Sequence, residues 1–427
     1  MATEDWSCDG LEALELRLCR AKEETAALDE EEHKVVDTFA PAFVYPIFGE
    51  QETIFGYQGL SIDYRFASGS LAQYLSITHE SKFPPTGSVE ADDPEKILYE
   101  YIPPSYSKSL EEFEKIVERD AKEFKPVGEK IGSYRISSKA AAANGHGKGK
   151  GKATPTSGTL PQRPWEALAE GEEAEGDEVV YEAFWSNWDT PGFKEFHRRA
   201  QIFVLLYIEG AQYIDEEDGR WEFVTLFERR KRGDAYSYHF MGYVSFYSFF
   251  CWPDTKRLRL AQAVLLPPYH SMGHGSALYN LCYQNVLKRS DISELTVEDP
   301  SETFEDMRDK CDLYTLISGG DLQGLKSVPS IDRNLTETIR KKYKLADRQF
   351  YRLVEMILLL QLPSPPNSPD PIARAFRLLV KKRLYLFNKE QLLQIEDGQE
   401  RKDKLQETFE SVVEDYRRLT EKFTQSV

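Results

Sequence analysis

Residues 257–300 read RLRLAQAVLLPPYHSMGHGSALYNLCYQNVLKRSDISELTVEDP. The apolar run ending at Leu266 has strand character, and Leu278, Leu281, Cys282 and Val286 recur at the spacing of one helix face. SELTV is a second strand, closed by the acids Glu298 and Asp299. Between the first strand and the helix, PPYHSMGHG drops its side chains at Gly273 and Gly275, so backbone N–H groups can approach a ligand closely. The helix points its positive N-terminus at the same loop, an arrangement that cradles phosphate without a lysine. A Gly-x-Gly turn also serves as a plain helix start, so the loop alone does not fix the ligand. A nucleoside triphosphate loop is excluded because G-K-[ST] is absent. Gly273-x-Gly275 opens like a dinucleotide fingerprint, with Glu298 on the next strand, but Leu278 stands where Gly or Ala is required.

Upstream, PGFKEFHRRAQIFVLLYIEG predicts one helix from Pro191, burying Phe193, Phe196, Ala200, Phe203, Val204 and Tyr207 and ending near Glu209. Three strand-like runs follow at 221–229, 238–250 and 257–266, separated by the turns KRGD and WPDT, which predicts an antiparallel meander. Around residues 43–66, glycines at 49, 56 and 59 punctuate short strands and turns, and 109–124 has the pattern of a charged amphipathic helix. The fold class is α/β, a mixed α+β arrangement.

The composition shifts between 137 and 177, where a Gly/Lys/Ala-rich run containing KGKGK precedes the acidic EALAEGEEAEGDE; this predicts a disordered low-complexity insert. The basic tract reads as linker or as a nuclear-import signal. The expected organisation is an N-terminal segment at 1–29, an N-terminal domain at 30–136, the insert at 137–177, a central domain at 178–320 and C-terminal helices at 321–427. LPSPPNSPDP interrupts those helices at 362–371. In the last of them Leu405, Phe409, Val412, Tyr416, Leu419 and Phe423 form an apolar stripe that packs on its own domain or on a partner.

With 72 acidic against 54 basic residues the formal charge is -18, which disfavours nucleic acid and suits a cationic partner as well as simple solubility. Aromatic residues make up 12% of the chain, enough to build cores despite a mean hydropathy of -0.54. The longest apolar runs fall short of the roughly 18 residues that cross a bilayer, and the N-terminus lacks the pattern of a signal peptide. Five scattered cysteines and seven histidines show no metal-ligand spacing, so no metal and no disulfide framework is expected.

The run HSMGHGS, residues 270–276, resembles the R/Q-x-x-G-x-G/A pyrophosphate loop of the GCN5-related N-acetyltransferases, with His270 at the first position. FGEQETIFGYQGL, YIEGAQYID, GYVSFYSFFCWPDTKRLR, LPPYHSMGHGSALY and SELTVEDPSETFEDMRD together resemble the type B histone acetyltransferase catalytic subunits, in that family's order. The resemblance implies an acetyltransferase fold with an N-terminal recognition domain and a C-terminal helical region. It implies acetyl transfer from acetyl-CoA to lysines of newly synthesised histone H4, by direct attack of the amine. Partners implied are the H4 tail with histone H3, and a WD-repeat β-propeller histone-binding subunit; the implied location is cytoplasm and nucleus.

By the same resemblance, Glu298 is the general base, with Asp299 and Glu209 beside it in catalysis. A lysine ammonium of reference pKa about 10.4 must lose a proton before it attacks, and paired carboxylates can supply the base. E-D-P alone also reads as a solvated strand end. The cofactor-binding residues implied are Ala263, Val264 and Leu265, offering strand backbone to the pantetheine arm, and His270, Ser271, Met272, Gly273, His274, Gly275 and Ser276 around the pyrophosphate. Glu50, Gln51 and Glu52, and Tyr247, Ser248 and Phe249, would hold the histone tail; they also read as a turn and as sheet core.

Overall fold

Leu14, Leu16 and Leu18 alternate with Glu15, Arg17 and Cys19, and this period of two makes Leu14–Cys19 (β1) a strand with one buried face. In the computed structural model, which describes residues 6–137, 160–172, 176, 178–322 and 333–423, β1 is an interior strand of a four-stranded sheet. Its partners are Thr38–Phe39 (β2), Ser61–Ala67 (β3) and Gln73–Thr78 (β4), in the order β2-β1-β3-β4. β1 and β3 run parallel, from Leu14↔Ile62 to Cys19↔Ala67. The segment expected to stand apart at 1–29 therefore belongs to the N-terminal sheet.

The chain divides into two compact units: Met1–Ala140, Pro164–Phe249 and Arg259–Cys282 form the first, and Ala141–Arg163, Phe250–Leu258 and Tyr283–Val427 the second. The expected boundaries between 30–136, 178–320 and 321–427 do not follow this division. The N-terminal and central regions share one unit because they share an aromatic core. Phe66 on β3 lies 4.8 Å from Phe203, ring centre to ring centre, and Phe203 lies 6.2 Å from Phe240 of the larger sheet. Each such ring contributes roughly 1.5–3 kcal/mol by leaving water.

In the first unit the larger sheet has the order β6-β5-β7-β8-β9-β10, built from Glu129–Ile136 (β5), Trp165–Ala167 (β6), Val180–Asn187 (β7), Trp221–Arg232 (β8), Ala235–Cys251 (β9) and Thr255–Leu265 (β10). The last three are the expected meander. β6 lies inside the stretch expected to be disordered, and Trp165 is the reason: its side chain is buried while its backbone pairs opposite Ile136. Residues 138–159, with the KGKGK tract, lie outside the described residues. The helix expected from Pro191 is two, Phe193–Ala200 and Ile202–Tyr207, parted at Gln201, whose carbonyl accepts from Val204 N–H at 3.0 Å in a tightened turn. A β-bulge at Met241 breaks the β8–β9 register between Leu226 and Phe227, and next to it Gly242 comes against β10.

In the second unit Ile292–Val297 (β11) lies beside the start of β10, where Ser293 Oγ donates to the Lys256 carbonyl at 3.1 Å. Helices Glu302–Gly319, Asp347–Leu360, Pro371–Phe387 and Gly398–Thr420 follow. The apolar stripe of the last packs within this unit, with Val413 rather than Val412 as its buried valine. Buried charges there are paired: Arg352 donates to Asp309 at 2.7 Å, and Arg383 donates to both Glu355 oxygens at 2.8 Å. Among the described residues no helix is long and apolar enough to cross a membrane.

A Cβ added at Gly242 would stand 2.2 Å from the Val264 carbonyl oxygen and 2.9 Å from Leu265 Cα, both backbone atoms. Gly242→Ala is expected to destabilise the chain by about 1–3 kcal/mol in urea unfolding, whereas Gly219→Ala, with open space around it, stays within about 0.5 kcal/mol of wild type.

Candidate active site

β10 ends at Leu265 and the chain makes one 3₁₀ turn, Pro267–Tyr269, before the glycine loop. Tyr269 is buried and its hydroxyl accepts from Arg20 Nη2 at 3.1 Å. Arg20, just past the end of β1, also donates to both oxygens of Glu228 on β8, at 2.9 and 3.0 Å. Burial opposes ionisation of Glu228, but Arg20 and Arg230 outweigh it and hold the carboxyl below its ordinary value. One buried ion pair thus fixes the root of the loop to both sheets.

Within the loop, Ser271 has φ 63° and Gly273 φ 93°. A Cβ at residue 273 would meet Pro164 Cγ at 2.4 Å, so glycine is required there for close packing as well as for conformation. Trp165 Nε1–H donates to Ser276 Oγ at 2.9 Å, and Ser276 Oγ donates to the Gly273 carbonyl at 2.8 Å. The helix His274–Lys288 begins at once, so its first turn points backbone amides toward the loop, where helix geometry itself supplies no carbonyl. These amides and the helix dipole suit an anionic pyrophosphate.

The His274 side chain faces inward. Its Nδ1 lies 2.8 Å from the Tyr134 hydroxyl, its ring 4.5 Å from that of Tyr181, and burial pulls its pKa down to about 4, so it is neutral at physiological pH. His270 and Ser271 are exposed and Met272 is largely so. The His270 ring lies 2.5 Å, through Nε2, from the Leu265 carbonyl, so that carbonyl is already engaged. Ala263 and Leu265 are half-buried and Val264 is buried.

On the strand β9, Tyr247 donates to Asp218 at 3.0 Å and carries Arg220 over its ring at 4.7 Å. Ser248 is buried and donates to Glu222 at 3.3 Å, while Phe249 lies under Arg259. Glu50 and Gln51 are exposed. The Glu52 carboxylate, expected to face a histone tail, accepts through Oε1 from the N–H groups of Val44 and Tyr45, at 2.5 and 3.0 Å. Glu209 is exposed in the turn after Ile202–Tyr207, and the next amide, Gly210 N–H, donates to the Tyr45 hydroxyl at 2.7 Å. The first unit therefore brings the Glu209 turn and the 50–52 turn together through Tyr45. In the second unit Glu298 and Asp299 are exposed directly after β11, and Arg308 donates from within to the Leu295 carbonyl at 3.4 Å. Among the described residues five non-glycine residues have positive φ, and three of them, Glu52, Ser271 and Asp299, are residues singled out from sequence.

Two family models match the chain. Residues 6–209 match a model described as histone acetyl transferase HAT1 N-terminus, and residues 309–363 one described as fungal HAT1, C-terminal. A histone acetyltransferase type B catalytic subunit from Cryptococcus neoformans var. neoformans serotype D is 47% identical over 430 residues, covering 97% of each chain. The chain belongs to the type B histone acetyltransferase catalytic subunits. Relatives of the same name from Mycosarcoma maydis, 43% identical over 88% of this chain and 82% of theirs, and from Eremothecium gossypii, 36% identical over 90% and 86%, extend the likeness. Sequence reasoning on this type B subunit missed Arg20, Glu228, Tyr269, Trp165 and Tyr45. The alternation of Leu14, Leu16 and Leu18 was the available signal that Arg20 ends a core strand.

Removing Arg20 leaves Glu228 buried beside Arg230 alone. Arg20→Met is expected to lower stability by about 3–5 kcal/mol at neutral pH. The folded carboxyl titrates below its ordinary 4.5, so the pair's contribution is present above that pH and is lost as pH falls below it. Urea unfolding of the two chains should therefore converge on acidification.

Proposed function

We propose that the chain transfers the acetyl group of acetyl-CoA to lysines in the tail of newly made histone H4. The observation that carries this reading is the 47% identity to a type B catalytic subunit along nearly the whole of both chains. The glycine loop supports it, since its first-turn amides and strained Ser271 and Gly273 suit a pyrophosphate brought close to backbone.

Acetyl-CoA supplies an acyl thioester, whose carbonyl carbon accepts the lysine amine while the carbon–sulfur bond breaks and the thiol leaves. The residues proposed to hold it are Ala263, Val264 and Leu265 along the arm and His270 to Ser276 at the pyrophosphate. Strand and loop amides are fixed before binding, so they stabilise charge without reorganising. Glu298 takes the ammonium proton, which makes the amine a nucleophile, and Asp299 and Glu209 are the further carboxylates assigned to assist the proton transfer. Tyr247, Ser248 and Phe249, with Glu50, Gln51 and Glu52, receive the tail; acidic and aromatic surface suits its lysines and arginines. The same reading includes a WD-repeat β-propeller subunit and histone H3 as partners, and residence in both cytoplasm and nucleus.

Mass spectrometry of an H4 N-terminal peptide incubated with acetyl-CoA and the full chain tests this. Wild type should acetylate the peptide, and Glu298→Gln should lose about 10²–10⁴-fold in rate with acetyl-CoA binding retained. An equally active Glu298→Gln chain removes Glu298 from the reaction, and a wild type that binds acetyl-CoA but acetylates no peptide removes the H4 assignment.

A further inference from the structure

Glu52 sits at φ 51°, a left-handed conformation that L side chains adopt only when their surroundings impose it. Four hydrogen bonds do so. Its N–H donates to the Gly49 carbonyl at 2.8 Å, its carbonyl accepts from Gly10 N–H at 2.7 Å, and its Oε1 takes the Val44 and Tyr45 amides. Those two amides open the one-turn helix Tyr45–Phe48, so the carboxylate caps it and sets the direction of Tyr45. The Tyr45 hydroxyl in turn accepts from Gly210 N–H at 2.7 Å. Nearby, Ala42 N–H donates to the Leu206 carbonyl and the Tyr207 hydroxyl to the Ala40 carbonyl, both at 2.9 Å. On the far side of the turn, Gln262 Nε2–H, one residue before Ala263, donates to the Gln212 carbonyl at 2.9 Å. The short stretch carrying Glu209 is thereby clamped between Tyr45 and Gln262.

We propose that Tyr45 is a positioning residue for acetyl transfer, holding the Glu209–Gly210 turn by its hydroxyl and itself held by the strained Glu52. The proposal rests on the reading in which Glu209 serves that reaction. It gives Glu52 a role through Tyr45 beside the tail contact proposed for it. A carboxylate on an exposed turn has many orientations, and an interaction made only in one of them is weakened when the turn moves by an ångström.

The test uses the full chain with acetyl-CoA and the H4 peptide. Tyr45→Phe keeps the ring and removes only the oxygen that accepts Gly210 N–H. Peptide kcat/KM should fall about five- to tenfold, in whichever of kcat or KM Glu209→Gln changes, with KM for acetyl-CoA and the thermal midpoint unchanged. The decisive measurement is the double variant: on a Glu209→Gln background Tyr45→Phe should add nothing. Glu52→Gln, whose amide oxygen still accepts both N–H groups, should lose less than Glu52→Ala, which should lose at least as much as Tyr45→Phe. Losses that multiply in the double variant, or a Tyr45→Phe chain with unchanged peptide kinetics, overturn the proposal. A Glu209→Gln chain with wild-type kinetics overturns the role given to Glu209, and with it the reason for the clamp.

Discussion

The fold of the first unit depends on burying an arginine and a glutamate together. Neither Arg20 nor Glu228 can leave water alone, and each has the other within 3.0 Å. Because one follows a strand of the small sheet and the other lies within the large sheet, the pair fixes the two sheets to each other. Tyr269 completes the set and extends the constraint to the glycine loop. A buried ion pair of this kind is weak evidence for extra stability, since apolar residues of equal volume often do as well. Its contribution here is registry, because a shift of β1 along β3 would leave a charge in the core without its partner.

The elements that obey a simple period were legible from the amino-acid order. The meander of β8, β9 and β10 and the helix after the glycine loop lie where alternation and helical spacing put them. Elements that depend on distant partners were not. β6 stands in a polar, Gly/Pro-rich surrounding and is held because its backbone pairs with β5 while the Trp165 indole donates to the Ser276 hydroxyl. The break at Gln201 sits inside an unbroken apolar pattern, where composition gives no sign of a tightened turn.

The candidate site shows the same division. Glycines at 273 and 275 and the acids after β11 announce themselves in the sequence, because small side chains and clustered carboxylates are rare features with few uses. The anchoring groups do not. His274 sits between the two glycines yet turns its ring into a pocket of tyrosines, and Glu52 turns its carboxylate back onto its own chain. Strained backbone at Glu52, Ser271 and Asp299 marks positions where surrounding contacts hold the chain against its local preference. Local preference is what sequence reading measures, so the motifs single these three residues out while their left-handed backbone goes unread.

β5 and β6 pair antiparallel from Ile136↔Trp165 to Tyr134↔Ala167, so the connection between residues 137 and 164 leaves and returns at one place on the sheet edge. Closing a loop between two fixed ends costs entropy that grows only logarithmically with the number of residues between them, about 0.6 kcal/mol for each doubling. The residues that brace the glycine loop, Pro164 and Trp165, lie on the returning side of that closure. The geometry around Ser276 is therefore set by where the chain re-enters the sheet, at Trp165 opposite Ile136, and a single backbone pairing at the sheet edge carries the placement of the whole glycine loop.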